Sequence, residues 1–261
     1  MDKRYKDQVV MITGAASGFG KRAAEMFAAE GARLALSDIS AEALEAHAET
    51  LRAKGAEVIA DAFDVSEEAP LKAHIARISE TYGRLDVAIN NAGMGHEPAP
   101  LHMLTAEDFD RNTAVNARGV FLGMKYQIPL MRAAGQGAIL NVASAAGLVG
   151  SGNLSAYSAA KHAVVGLTRA AADENARKNI RVNALCPSFA STPLVDDMTN
   201  MVSARTGLDT EGAARQITAR IPMGRMASTD EIVQAMLWIC SPENTFMTGQ
   251  AVALDGGLTA V

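Results

Sequence analysis

Cysteine is almost missing from this chain of 261 residues: only Cys186 and Cys240 occur, with no CxxC pair and no Cys/His cluster. That excludes a disulfide framework and a zinc site, and it fits a reducing compartment. Positive charge is also short. Lys and Arg number 24 against 29 Asp and Glu, a net charge of −5, and no basic stripe stands out. A protein that lives on a phosphate backbone needs one, so no nucleic-acid partner is expected. No uninterrupted apolar run approaches the ~18 residues of a membrane span. The opening stretch, MDKRYKDQVVMITG, lacks the apolar core and cleavage signal of a secretory peptide. The five histidines, His47, His74, His96, His102 and His162, show no metal-ligand spacing. They read as solvated or locally hydrogen-bonded, with His96 the one candidate for a substrate contact. These absences imply a soluble cytoplasmic protein with no metal, no nucleic acid and no membrane partner.

What is present is apolar residue in quantity, 49% of the chain, enough for a large core. Residues 9–13, 33–38, 57–65, 85–92, 137–144 and 180–187 read as strands rich in Val, Ile and Leu. They lack strict alternation, as strands buried on both faces should. Helical patterns fill 18–30, 41–54, 67–82 and 155–177, and a late strand, AVALDGG, closes the chain. Strand–helix–strand repetition predicts an α/β fold: one Rossmann-type doubly wound parallel sheet of about seven strands, over residues 1–261 as a single domain. Residues 190–226 break the rhythm with helical pieces, several methionines and no strand. Lying beyond a strand end and before the last helix, they predict a lid-like insertion, with a subunit contact as the alternative.

Directly after the first strand comes TGAASGFG, with Gly14, Gly18 and Gly20. A strand running through glycines into a helix brings backbone N–H groups close to a pyrophosphate. The second strand ends in Asp38, 18 positions beyond Gly20. A carboxylate there can accept both adenosine ribose hydroxyls and repel a 2′-phosphate. It could also be a turn residue or lie in the N-cap region of the next helix. No Arg or Lys occupies Ser17, Ile39 or Ser40, so NAD is favoured over NADP. Asp64 and Val65 end the third strand, and Asn90, Asn91, Ala92 and Gly93 the fourth. Their small and polar side chains suit a flat nucleotide, or turn chemistry alone.

The stretch AYSAAKHAVVG sets Tyr157 and Lys161 four apart, one helical turn. By itself the pair could be a solvated lysine beside a surface tyrosine. Free tyrosine titrates near pH 10, so about 0.1% is ionised at neutrality; a neighbouring ammonium favours the phenolate. Small residues at 156 and 158–160 are expected to keep the helix face open for a cofactor.

TGAASGFG, NNAG, VNARGVF, Ser144, YSAAK and IRVNALCPSFASTP stand in the order and spacing of the short-chain dehydrogenases/reductases, and the resemblance runs from Val9 to the terminal LDGGLTAV. It implies Tyr157 as acid/base, Ser144 as the hydroxyl that holds the substrate oxygen, and Lys161 as the residue that binds the nicotinamide ribose and lowers the tyrosine pKa. Asn116 is implied as the fourth member, positioning a water for proton relay. The implied cofactor contacts are Gly14, Ser17, Gly18, Phe19, Gly20, Asp38, Ile39, Asp64, Val65, Asn91, Ala92, Gly93, Tyr157, Lys161, Pro187, Ala190 and Thr192. A homotetramer is implied on the same ground. Two positions depart from the pattern: Ser188 stands where the family usually has glycine, and Ala143 where a serine is frequent.

The expected activity is NAD-dependent interconversion of a secondary alcohol and a ketone, with a cyclic or apolar small-molecule substrate. FLGMKYQIPLM, AAKHAVVGLTRAAA and DGGLTAV resemble members acting on cyclic alcohols or dihydrodiols, and Leu148, Val149, Leu194 and Met198 would suit such a ring. Two alternatives stay open. A 3-oxoacyl reductase or 3-hydroxyacyl dehydrogenase would need a basic patch, to which Arg111, Arg118, Arg205, Arg215 and Arg220 could contribute. A non-catalytic NAD-sensing regulator would be favoured by a broken Ser–Tyr–Lys set; here the set is whole.

Overall fold

Val9–Thr13 forms β1, and all five of its residues are buried. Successive side chains on a strand point to opposite faces. Val9 and Met11 join one apolar cluster, Val10 and Ile12 the other. A strand covered on both faces needs apolar residues at every position, hence the unbroken run VVMI. The structure is a computed structural model that describes residues 3–261; the Leu194 side chain lies outside the described residues.

From β1 the chain passes through α1 (Gly18–Ala29), β2 (Arg33–Asp38), α2 (Ala41–Ala53), β3 (Val58–Ala62), α3 (Glu68–Tyr82) and β4 (Val87–Asn90). It continues through α4 (Ala106–Thr113), a π-helical turn (Ala114–Arg118), α5 (Gly119–Ala134), β5 (Gly137–Val142), α6 (Ser155–Asn175) and β6 (Ile180–Pro187). Last come α7 (Pro193–Thr206), α8 (Thr210–Thr218), α9 (Thr229–Cys240) and β7 (Ala251–Leu254). The seven strands form one parallel sheet in the order β3-β2-β1-β4-β5-β6-β7. Apolar residues of α1, α2 and α9 cover one face, and those of α3, α5 and α6 the other. This is the single-domain Rossmann-type architecture expected from the sequence.

The strand order reverses between β1 and β4. In open α/β sheets that reversal leaves a crevice beyond the carboxyl ends of the strands, where ligands bind. Three expected strands prove shorter at this edge. β3 stops at Ala62 because its partner β2 stops at Asp38; Phe63 N then bonds Asp38 O at 2.9 Å as the chain leaves the sheet. β4 stops at Asn90, since the next two backbone N–H groups turn to Thr13 Oγ1. β5 stops at Val142, two residues before Ser144.

The 190–226 segment folds into α7 and α8 and contains no strand, as expected. A lone bridge pairs Ala190 with Ala227 at its base. Ser191 N bonds Ala227 O at 3.0 Å, and Ala227 N bonds Phe189 O at 3.0 Å. The helical pair therefore stands on a tied stem directly beyond β6.

Candidate active site

The glycine turn is built by close approach. Gly14 has φ +67°, and a Cβ there would lie 2.9 Å from Ala92 Cα. A Cβ on Gly20 would lie 2.0 Å from the Gly14 carbonyl oxygen, so α1 meets the turn at a distance only glycine permits. Gly18 opens α1 next to Thr192, and Phe19 packs against the core. Ser17 precedes α1 in extended conformation and makes no side-chain cap. The helix thus begins with backbone donors that no capping side chain occupies, which suits an anion. Asp38 closes the cradle: Oδ2 accepts from Ala16 N at 2.9 Å and Oδ1 from Ser40 N at 3.0 Å. Ile39 beside it is 73% exposed and carries no charge. A glycine cradle, an uncapped helix start and a carboxylate together fit the diphosphate and ribose of a nicotinamide dinucleotide.

The next two strand ends brace this turn. Asn91 Nδ2 donates to Thr13 O at 2.9 Å and to Gly14 O at 3.2 Å, while Asn91 N and Ala92 N both donate to Thr13 Oγ1 at 3.0 Å. Asp64 Oδ1 accepts from Ser66 N at 2.8 Å, and Val65 is buried against Gly119 at the start of α5. Asn116, fully buried in the π turn, holds the following loop. Its Nδ2 donates to Met94 O at 2.9 Å, and its Oδ1 accepts from Met94 N at 3.1 Å. A Cβ on Gly93 would lie 2.8 Å from Asn116 Oδ1 and 3.4 Å from Lys161 Nζ, so both groups surround one point. A π turn shifts the helical register and re-aims its side chains, and such turns recur at functional sites.

Tyr157 and Lys161 lie one turn apart on α6, beside the end of β5 that leads to Ser144. Ser144 leaves β5 in extended conformation, and its Oγ accepts from Ala146 N at 3.1 Å. The Tyr157 hydroxyl lies close enough to the Ser144 side chain for the serine hydroxyl to influence its titration. Burial raises the Tyr157 pKa above its ordinary value, and the neighbouring Ser144 hydroxyl works against that rise. Tyr157 is half-buried. Lys161 Nζ lies 5.6 Å from the Tyr157 ring centroid and donates to Val142 O at 2.8 Å. Lys161 is 3% exposed, and that burial pulls its pKa down to about 8. Ala156, Ser158 and Ala160 are buried and Ala159 is exposed, so the small residues of this helix serve close packing rather than an open face.

Beyond β6, Pro187 is buried and Ser188 N bonds Leu254 O at 3.4 Å. Ala190 is buried, and Thr192 Oγ1 donates to Ala190 O at 3.4 Å at the start of α7. Thr192 and Gly18 are neighbours, so this loop faces the glycine turn across the crevice. Leu148 packs partly against the core, Val149 is 38% exposed, and Met198 is half-buried. Met201 and Met223 are exposed.

His47 differs from expectation: it is buried, and burial lowers its pKa. His74 is buried too, but hydrogen-bonded, its Nδ1 2.6 Å from Asp61 Oδ2. His96 Nδ1 meets Glu97 O at 2.8 Å, a local contact. Among the described residues, no group of three His, Cys, Asp or Glu could hold a metal, and no helix is long and apolar enough to cross a membrane. Sequence reasoning missed Cys186. Its thiol is buried beside this trio, and burial pushes its pKa to about 11. No spacing rule marks such a residue.

A family model described as Enoyl-(Acyl carrier protein) reductase matches residues 14–259. Levodione reductase of Leifsonia aquatica is 39% identical over 98% of this chain and 96% of its own. A crystal structure of levodione reductase superposes with a TM-score of 0.94 at 38% identity, covering 99% of this chain and 100% of that one. Cis-4-hydroxycyclohexanecarboxylate dehydrogenase of Sinomonas cyclohexanicum is 39% identical over the whole of both chains. A 3-ketoacyl-(acyl-carrier-protein) reductase from Brucella melitensis, solved in complex with NADH, has a TM-score of 0.86 at 35% identity, covering 97% of this chain and 99% of that one. With these matches spanning the full length, the chain belongs to the short-chain dehydrogenase/reductase family of oxidoreductases.

Proposed function

We propose that the protein oxidises a cyclic or apolar secondary alcohol to the ketone with NAD, and reduces the ketone with NADH. The observation that carries this reading is the buried Lys161 ammonium one turn along α6 from Tyr157, 5.6 Å from its ring and bonded to the end of β5 that leads to Ser144. Ser144 holds the substrate oxygen. Tyr157 removes the hydroxyl proton in oxidation and returns it in reduction. Lys161, protonated at neutral pH, stabilises the phenolate form of Tyr157 through its charge. The nicotinamide ring supplies the hydride acceptor or donor when bound. Asn116 fixes the loop after β4, its Oδ1 and Lys161 Nζ both lie beside Gly93, and a water joining them belongs to this proposal. That water is the proposed start of a proton path from Tyr157 to solvent.

Asp38 supports NAD: its carboxylate faces the glycine turn, and no cation stands at 17, 39 or 40 to neutralise a 2′-phosphate. Gly14, Gly18, Gly20, Asp64, Val65, Asn91, Ala92, Gly93, Pro187, Ala190 and Thr192 are assigned to the same cofactor by position. The cyclic substrate is supported by the relatives named for levodione and cis-4-hydroxycyclohexanecarboxylate. α7 and α8 are assigned as a lid, and a cytoplasmic homo-oligomer is proposed, its assembly measurable by light scattering.

The similarity to a 3-ketoacyl reductase favours a second reading, an acyl thioester substrate. Of the five arginines that reading would recruit, Arg215 pairs with Glu211 at 2.5 Å and Arg118 donates to Ser66 O. The test is NADH formation from a panel of cyclic and linear secondary alcohols, with NADP alongside and Tyr157→Phe as control. Turnover of cyclic alcohols with NAD, lost in Tyr157→Phe, supports the proposal. Turnover only with 3-hydroxyacyl thioesters moves the assignment to the second reading. Tight NADH binding without turnover of either class would make the protein a sensor instead.

A further inference from the structure

Four polar side chains meet inside the molecule where apolar packing would be the simpler solution. Asn90 on β4, Gln127 on α5, Asn141 on β5 and Thr168 on α6 are each 3% exposed or less. Asn90 and Gln127 form a reciprocal amide pair: Asn90 Nδ2 donates to Gln127 Oε1 at 3.1 Å, and Gln127 Nε2 donates to Asn90 Oδ1 at 2.8 Å. Asn90 Nδ2 also donates to Asn141 Oδ1 at 2.8 Å. Asn141 Nδ2 donates to Thr168 Oγ1 at 2.9 Å, and the Thr168 hydroxyl donates to Val164 O at 2.8 Å. The chain runs in one direction and ends on a helix carbonyl, so turning over any one amide would set donor against donor.

Burying such groups is costly unless every one is bonded, and a fully bonded set then fixes the geometry of whatever it joins. Here it joins the elements that carry the site. β4 runs directly into Asn91–Gly93, β5 leads to Ser144, and α6 carries Tyr157 and Lys161. Thr168 follows Lys161 by seven residues, two helical turns, and so lies on the same face. Neighbouring β5 residues hold α6 at both places: Asn141 through its side chain to Thr168, and Val142 through its carbonyl to Lys161 at 2.8 Å. α5 approaches closely too, since a Cβ on Gly123 would lie 2.6 Å from Asn90 Oδ1.

We propose that the Gln127–Asn90–Asn141–Thr168 chain is a positioning device that sets the placement of α6 along β5, and through it the register of Tyr157 and Lys161 against Ser144. The inference rests on the catalytic reading given above. None of the four is a catalytic residue; Thr168 and Asn141 act through α6.

Thr168→Val keeps the side-chain shape and removes the acceptor; Thr168→Ser keeps the acceptor. The assay is NAD-dependent oxidation of cyclohexanol, with NADH affinity by fluorescence and the melting temperature measured in parallel. Misplacement of reacting groups by about an ångström can cost about 100-fold, so kcat of Thr168→Val should fall by about 10- to 100-fold with NADH affinity little changed. Thr168→Ser should recover most of that loss. Thr168→Val with unchanged kcat below its melting temperature, or Thr168→Ser falling equally far, overturns the inference. If Thr168→Val does not fold, Thr168→Cys, a weaker acceptor of similar size, takes its place with the same two outcomes. Tyr157→Phe in the same assay separates the two ideas. An active Tyr157→Phe sinks the catalytic reading, whereas an inactive one beside a fully active Thr168→Val sinks only the positioning role. A crystal structure of Thr168→Val needs no substrate: α6 displaced, with Lys161 drawn from Val142 O, is expected, and α6 unmoved overturns the inference.

Discussion

Lys161 Nζ donates to Val142 O at 2.8 Å, on the strand that reaches Ser144 two residues later. The contact anchors a buried ammonium to backbone, with no carboxylate partner among the described residues, so burial dominates and its pKa falls to about 8. The unfolded chain holds the same proton up to ~10.5. Between those values the unfolded state binds more protons than the native state, so stability rises with pH across that window. Below pH 8 the full penalty applies, of order 3 kcal/mol at about 1.4 kcal/mol per pKa unit. Lys161→Met is therefore expected to abolish turnover and yet raise the melting temperature at pH 7. The stability gain over the parent should shrink as pH climbs from 8 to 10. Thermal melts at several pH values would contradict this if the variant melted lower at pH 7.

In the proposed reaction the same lysine sets a pH limit on catalysis. Ketone reduction needs protonated Tyr157 and, beside it, the Lys161 charge. Burial raises the Tyr157 pKa, while Lys161 loses its proton near pH 8. The rate of ketone reduction is expected to be level around neutrality and to decline as pH passes 8. Alcohol oxidation needs ionised Tyr157 beside a charged Lys161, so it should rise with pH from the neutral side and level off or fall once Lys161 loses its proton past pH 8. Initial rates in both directions over pH 6–10 check this; a reductive rate still level at pH 10 would remove Lys161 from its proposed role.

Asp38 carries the cofactor prediction. Asp38→Asn removes the repulsion toward a 2′-phosphate, and Ile39→Arg, at a position 73% exposed, adds a partner for it. Like-charge contacts cost several kcal/mol, so the double variant should shift the NADP to NAD ratio of kcat/KM by about 100-fold or more. A parent enzyme that already used both cofactors equally would sink the argument before any variant was made.

Much of this molecule was legible in its sequence, and the parts that were not share a cause. β1, β2 and β6 have the bounds their apolar runs suggested, because strands covered on both faces declare themselves residue by residue. The ends of β3 and β4 were overestimated, since β3 ends with its ladder partner β2 and β4 ends where the next two backbone N–H groups turn to Thr13 Oγ1, and both are facts about another segment. The placing of Lys161 beside Tyr157 was readable because the pair is local to one helix. The Asn90–Gln127–Asn141–Thr168 chain was not, since its members come from four elements and each alone looks like a misplaced polar residue. The burial of His47 escaped for the same reason.

Gly20 offers a sharper test of the cradle than any charged residue. A Cβ there would meet the Gly14 carbonyl oxygen at 2.0 Å, and backbone cannot swing aside as a long side chain can. Gly20→Ala is expected to push α1 away from the turn and weaken NADH binding by about 100-fold, near 3 kcal/mol at 1.4 per decade. Fluorescence titration reads this directly. Unchanged affinity would place the cofactor away from the glycine turn.

Ser188, where glycine is usual in the family, invites the guess that the loop beyond β6 is strained. The backbone says otherwise. The non-glycine residues with positive φ among those described are Asp7, Asn153 and Asn179, and Ser188 is not one of them. Serine adopts its conformation here without a steric penalty, so restoring glycine releases nothing. The serine side chain instead lines a small cavity of about 80 Å³ together with Met223, Leu254 and Gly256. Ser188→Gly therefore enlarges that space slightly and frees the unfolded backbone, both mildly destabilising, by about 0.5–1 kcal/mol. Turnover should stay within about twofold of the parent, because no group that holds substrate or moves a proton is lost. A large gain in kcat or melting temperature on making Ser188→Gly would show that the loop is strained after all.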